Sequence, residues 1–122
     1  MDGPNSISSR DLFEWLGTAS PPLVFDVRRA AAFAADSRML ASAERGARDK
    51  VVEWGWQIAA GRHAVVYCAY GHEVSQEVAR ELREAGIEAR YLAGGITGWA
   101  ELGLPLRTEK AEPPPAREDR AQ

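Results

Sequence analysis

One side chain in this sequence has the chemistry of a nucleophile, and its setting favours that use. Cys68 closes the run His63-Ala64-Val65-Val66-Tyr67 and opens the short stretch Ala69-Tyr70-Gly71-His72-Glu73, after which Val74 and Ser75 lead into a helical pattern. The run is apolar and β-branched, so it predicts a buried strand. The order strand, Cys, Gly-containing loop, helix sets Cys68 at a strand's carboxyl end, where ligands collect in open α/β sheets. A helix that begins just after the loop offers unpaired backbone N–H groups and the positive end of its dipole. Both favour an anion, and a thiolate is one; the thiolate is the nucleophilic form of cysteine. The same N–H groups suit a bound persulfide or an anionic sulfur donor. A lone cysteine in a small domain is more often a buried, inert small hydrophobe, and the strand-end position with the loop and helix start that follow is what shifts the balance toward function; spacing alone leaves both readings open. His72 is either a proton-transfer group or a solvated loop histidine. Tyr70 is either a pocket wall or an exposed ring beside the loop.

The elements that position this loop read as a single α/β domain. Ser8-Ser9-Arg10-Asp11 fits a helix-capping pattern, with Ile7 and Leu12 as the staple around it. Leu12, Phe13 and Leu16 give that helix one apolar face, and Gly17 ends it. Leu23-Val24-Phe25-Asp26-Val27 predicts a buried strand and Ala30 to Ala35 a short helix. Met39-Leu40-Ala41 is a weaker strand candidate. Asp49 to Ile58 has helical spacing, and its Trp54 and Trp56 are expected to pack. Val74, Val78, Leu82 and Ala85 line one stripe of a helix that Gly86 ends. Ile87 to Leu92 is a third strand, and Ala93-Gly94-Gly95 turns into a short helix bearing Trp99. Strands alternating with helices predict a mainly parallel central sheet flanked by helices on both sides. The expected domain spans 6–106. Residues 107–122 carry Pro113-Pro114-Pro115 among charges without apolar periodicity, and read as a disordered tail.

Composition bounds the function. The chain has 122 residues, 45% hydrophobic and 27% charged, which suits one small core. A net charge of −3 gives no footprint for nucleic acid and no basic face for an anionic membrane. No stretch reaches the roughly 18 apolar residues of a spanning helix, and the first residues lack a secretory signal's basic and apolar regions. A cytoplasmic location is the resulting expectation. One cysteine excludes an internal disulfide, and with only His63 and His72 beside it the metal-ligand set is poor. No cofactor is expected.

Three segments together resemble the rhodanese homology domain, over roughly Ser6 to Leu106. They are Phe25-Asp26-Val27-Arg28, similar to the Asp-Val-Arg element after the family's first core strand; Cys68-Ala69-Tyr70-Gly71, similar to its Cys-x-x-Gly loop; and Leu92-Ala93-Gly94-Gly95-Ile96-Thr97-Gly98-Trp99, similar to its Leu-x-Gly-Gly-x-x-x-Trp signature. The resemblance implies a sulfurtransferase. Cys68 would take sulfane sulfur from a small anionic donor such as thiosulfate and pass it to a thiol or cyanide acceptor, and a protein persulfide could be a partner. Asp26 and Arg28 would support the loop; otherwise they form a local ion pair. Gly94, Gly95 and Trp99 read as turn and packing residues.

The loop departs from the family's common Cys-x-x-Gly-x-Arg-Ser. Gly71 is followed by His72-Glu73-Val74-Ser75, so if Ser75 matches that Ser, the loop is one residue longer and lacks its Arg. Related phosphatase and arsenate reductase domains use a longer loop but need that Arg to grip an oxyanion bidentately, which disfavours their chemistry here. Glu73 should oppose a dianionic donor unless its side chain points outward. A loosely similar Gly-His-Glu-Val-Ser variant occurs in rhodanese-like proteins associated with chromate resistance. A sulfur-carrier module that accepts persulfide and turns over little thiosulfate is therefore the second functional expectation, and phosphatase or oxyanion-reductase chemistry the third.

Overall fold

Strand β5, His63–Tyr67, lies at the centre of the sheet, and its residues alternate between the two faces. A computed structural model describes residues 5–58 and 61–108. Around β5 run β1 (Ser6–Ile7), β2 (Leu23–Asp26), β4 (Glu44–Arg45) and β6 (Glu88–Leu92), in the order β1-β6-β5-β2-β4, with every pairing parallel. Val65 and Tyr67 point to one face, where they join Leu12, Leu92, Ile96 and Trp99. Ala64 and Val66 point to the other and join Val78, Ala79 and Leu82. The period of two along a strand therefore aims the next residue, Cys68, toward the second face.

Helices cover both faces, as the alternating pattern predicts. On the first lie α1 (Ser9–Leu16) and α5 (Gly95–Glu101); on the second lie α3 (Val51–Gly55) and α4 (Glu73–Glu84). The expected cap of α1 is present: the Asp11 N–H donates to the Ser8 hydroxyl at 3.1 Å. A short helix α2 (Ala30–Ala35) follows β2 and buries no residue. Gly86, at φ +90°, follows the end of α4 in the conformation glycine adopts most readily. Arg48, in the single 3₁₀ turn before α3, holds Glu77 and Glu81 of α4 at 3.0 Å each.

The weak strand candidate at Met39-Leu40-Ala41 is a strand, β3, Arg38–Leu40, which stands outside the central sheet and pairs antiparallel with β7, Leu106–Thr108. Two sequence expectations need correction. The expected boundary at residue 107 thus falls inside a strand. Arg107 donates to the Leu40 and Ala41 carbonyls, which its charged side chain gave no reason to expect. Residues 109–122 of the expected tail lie outside the described residues. Trp54 packs as expected, on Phe25, with its indole N–H on the Ala47 carbonyl. Trp56 does not: it is 82% exposed, on an apolar groove of about 390 Å³ between α3 and α4 that holds no nucleophile.

Candidate active site

The loop after Cys68 is supported from beneath by backbone. The α5 N–H groups of Ile96 and Thr97 donate to the carbonyls of Cys68 and Ala69, each at 3.0 Å. Helix α5 thereby finds acceptors for donors its own first turn cannot satisfy. The approach is too close for side chains. A Cβ on Gly95 would overlap the Cys68 carbonyl oxygen and lie 2.6 Å from that of Ala69. A Cβ on Gly71 would lie 2.6 Å from the Gly94 nitrogen and 2.7 Å from the Leu92 oxygen. Gly71 and Gly95 also adopt φ of +78° and +59°, which costs any other residue about 1–3 kcal/mol. The paired glycines therefore do more than permit a turn: they let the Cys68 loop rest on α5. Trp99 is the packing residue expected, buried, with its indole N–H on the Pro105 carbonyl at 2.9 Å.

Above this support the loop's backbone donors are unspent. Among the described residues no acceptor takes the N–H groups of Ala69, Tyr70, Gly71 or His72. No side chain caps α4, whose first residue is Glu73. Cys68 is buried at the mouth of this loop, and its sulfur lies 3.2 Å from the Ser75 hydroxyl. Ser75, itself fully buried, is in turn 3.4 Å from the His72 carbonyl. With a thiol, sulfur donates to Ser75 and Ser75 to His72. With a thiolate, the Ser75 O–H can turn and donate to sulfur.

Cys68, Ala69, Tyr70, His72, Glu73 and Val74 line one pocket of about 240 Å³, joined from α2 and the residues before it by Arg28, Arg29 and Ala32. Gly71 and Ser75 stand behind its wall. The Tyr70 and His72 rings stack at 6.2 Å on its rim. Among the described residues, no group of three or more His, Cys, Asp or Glu side chains is placed to hold a metal ion.

Asp26 and Arg28 form a buried, nearly closed network rather than a free binding pair. Arg28 grips both Asp26 carboxylate oxygens, at 3.1 Å from Nε and 2.7 Å from Nη2. Its Nη1 and Nη2 also donate to the Asp36 and Arg38 carbonyls at 2.7 Å. Asp26 further accepts from Tyr67 at 3.1 Å and Arg45 at 3.3 Å. Burial, with the neighbouring Asp26 carboxylate, pushes the Tyr67 phenol well above its ordinary value, so it stays protonated and donates. The Arg38 guanidinium, bonded to Asp36 at the same turn, holds that exposed carboxyl at about 2. Arg28 thus ties β2 to the turn before β3, and its charge is spent inside the fold.

Sequence reasoning overlooked Arg29. It is exposed and lines the Cys68 pocket, and its side chain has no hydrogen-bonding or ion-pair partner among the described residues. Glu73 lines the same pocket and is equally unpaired. Two adjacent arginines offer no sequence signal as to which one Asp26 takes; strand geometry decides it.

A family profile described as a rhodanese-like domain matches residues 9–102. Among solved structures, a rhodanese-related protein from Thermoplasma volcanium superposes with a TM-score of 0.73 at 25% identity, covering 86% of this chain and 99% of that one. A rhodanese-like domain protein from Staphylococcus aureus gives 0.73 at 24% identity, covering 87% and 99%. A thiosulfate sulfurtransferase from Pseudomonas aeruginosa gives 0.74 at 21% identity, covering 88% of this chain and 20% of that larger one. The last two likenesses speak for the fold alone. No curated protein matches.

Proposed function

The chain belongs to the rhodanese-like family, and from that premise we propose that it is a sulfurtransferase working through a persulfide on Cys68. The observation that carries the reading is the placement of that sulfur. It sits at the carboxyl end of β5, in a pocket, ahead of α4, under a loop with unspent N–H groups and beside the Ser75 hydroxyl. These groups can hydrogen-bond the anionic sulfur of a bound donor and the terminal sulfur of a persulfide, which is also an anion.

The steps balance without a cofactor. The Cys68 thiolate attacks the sulfane sulfur of thiosulfate, the S–S bond breaks, and sulfite leaves with the electron pair. Cyanide or a thiolate then attacks the outer sulfur of Cys68–S–S⁻, and thiocyanate or a new persulfide leaves while the Cys68 thiolate returns. A small anionic donor and a thiol acceptor are the partners this chemistry requires.

A sulfur-carrier reading has one observation in its favour: Glu73 lines the pocket and the loop carries no arginine of its own. Phosphatase chemistry has less support, because Arg28 is committed to Asp26 and Arg29 comes from outside the loop. A thiosulfate:cyanide assay separates the first two. Turnover lost in Cys68→Ala supports the transferase; Cys68 labelling by a persulfide donor without thiosulfate turnover supports the carrier.

A further inference from the structure

The surface of the pocket that holds Cys68 is almost wholly apolar. The Ala32 and Ala69 methyls, Val74 and the rings of Tyr70 and His72 account for it, and the charged residues on its border give it carbon rather than their charged ends. Arg28 among them is bound to Asp26 and to two carbonyls. At about 240 Å³ the pocket is below the roughly 300–1,000 Å³ typical of sites for drug-sized ligands, so it takes a chain of a few carbons. An apolar wall beside a nucleophile gains free energy only from a reactant with an apolar part to set against it. Thiosulfate and cyanide have no such part. Of the reactants that the sulfur-transfer steps require, the thiol acceptor does.

We propose that the sulfur acceptor is a small thiol with an uncharged, apolar tail, its chain lying against Ala32, Ala69 and Val74 and its sulfur meeting the outer sulfur carried by Cys68. This inference rests on the sulfur-transfer reading above and names the acceptor class for it. In the transfer, the acceptor thiolate R–S⁻ attacks the outer sulfur of Cys68–S–SH. The bond between the two sulfurs on Cys68 breaks, the Cys68 thiolate leaves with the electron pair, and the proton stays on the outer sulfur of the new R–S–SH. No oxidant or reductant is consumed. The Tyr70 and His72 rings, stacked on the rim, extend the apolar wall outward from the sulfur. A carboxylate or hydroxyl at the end of the acceptor's chain would give up hydration there without a partner to replace it.

The test loads Cys68 with sulfur from thiosulfate or a persulfide donor and then offers three acceptors that share the reacting end and differ at the tip of the chain: 1-propanethiol, 3-mercapto-1-propanol and 3-mercaptopropionate. Loss of the outer sulfur is followed by mass spectrometry. Each rate is divided by that thiol's rate with a small persulfide free in solution, which removes differences in thiol reactivity, and cyanide serves as the acceptor without a chain. Propanethiol should be fastest, by about fourfold over the hydroxyl compound for one buried methyl, and by more over the carboxylate. Ala32→Ser and Val74→Thr each put a hydroxyl on the wall at nearly constant size, and each should cut that advantage about twofold or more. Ala32 is exposed, so its change does not threaten the fold. Equal normalised rates, a fastest reaction with 3-mercaptopropionate, or an advantage that neither substitution moves would overturn the selection, while discharge by cyanide leaves sulfur transfer standing. A Cys68 that takes up no sulfur would overturn both.

Discussion

The Ser75 hydroxyl stands 3.2 Å from the Cys68 sulfur, seven residues away in sequence and buried behind the pocket wall. It is the one side-chain hydrogen bond recorded for that sulfur among the described residues. In Ser75→Ala the thiolate would lose a donor, and hydrogen bonds to charged groups are worth about 1.5–3 kcal/mol. The alkylation rate of Cys68 by iodoacetamide at neutral pH should fall by about tenfold or more, while the melting temperature changes little. An unchanged rate would mean that Ser75 has no hold on the reactive form.

Gly95 should be intolerant of a side chain where Gly98, three residues on, is not. Gly95→Ala would drive a Cβ into the Cys68 carbonyl and impose φ +59° on alanine, a conformational cost of about 1–3 kcal/mol before any overlap. Gly98 is helical with open space around its Cα, so Gly98→Ala should be neutral or stabilise by about 0.5–1 kcal/mol. Thermal denaturation of the two variants checks the contrast. Similar melting temperatures would show that the loop does not rest on α5 as described.

Arg28 should matter to the fold and not to the donor. Arg28 and Asp26 are almost fully buried, and removing one partner of such a pair typically costs about 3–5 kcal/mol. Arg28→Met should lose stability on that scale in urea denaturation, yet its folded fraction should still accept sulfur on Cys68. A stable variant with no sulfur uptake would instead make Arg28 a binding residue.

The central sheet and the reactive loop were legible because their signals are local. Two β-branched apolar runs set β2 and β5, the stretch Ile87 to Leu92 sets β6, and the Ser8 cap and Gly86 mark helix ends where the structure has them. The edge strands β1 and β4 were not legible, since two residues each carry no period. Strand β7 was hidden by Arg107, whose partners are carbonyls some 66 residues away in sequence. Trp56 misled because an apolar side chain does not report its own burial. Of the site, Cys68 through Ser75 could be placed from strand, glycine and helix order. The division of labour between Arg28 and Arg29 could not, because only the fold decides which guanidinium meets Asp26.

Glu73 should disfavour a dianionic donor. Glu73→Gln leaves the shape nearly unchanged, and thiosulfate turnover should rise by about fivefold at low salt. The gain should shrink as ionic strength rises, because exposed charges are screened within about 10 Å at 0.1 M salt. Steady-state rates across a salt series check this. A rate that Glu73→Gln leaves unchanged at every ionic strength would mean the carboxylate does not act on the donor.

Mass spectrometry of the protein after exposure to thiosulfate and to a persulfide donor tests the central claim most directly. The wild-type chain should gain one sulfur, mapped to Cys68 by peptide analysis and removed by cyanide with release of thiocyanate. Cys68→Ser, which fills similar space but cannot form a persulfide, should stay folded and gain none. A wild-type protein that takes up no sulfur from either donor, or a Cys68→Ser variant that transfers sulfur at the wild-type rate, would contradict the account.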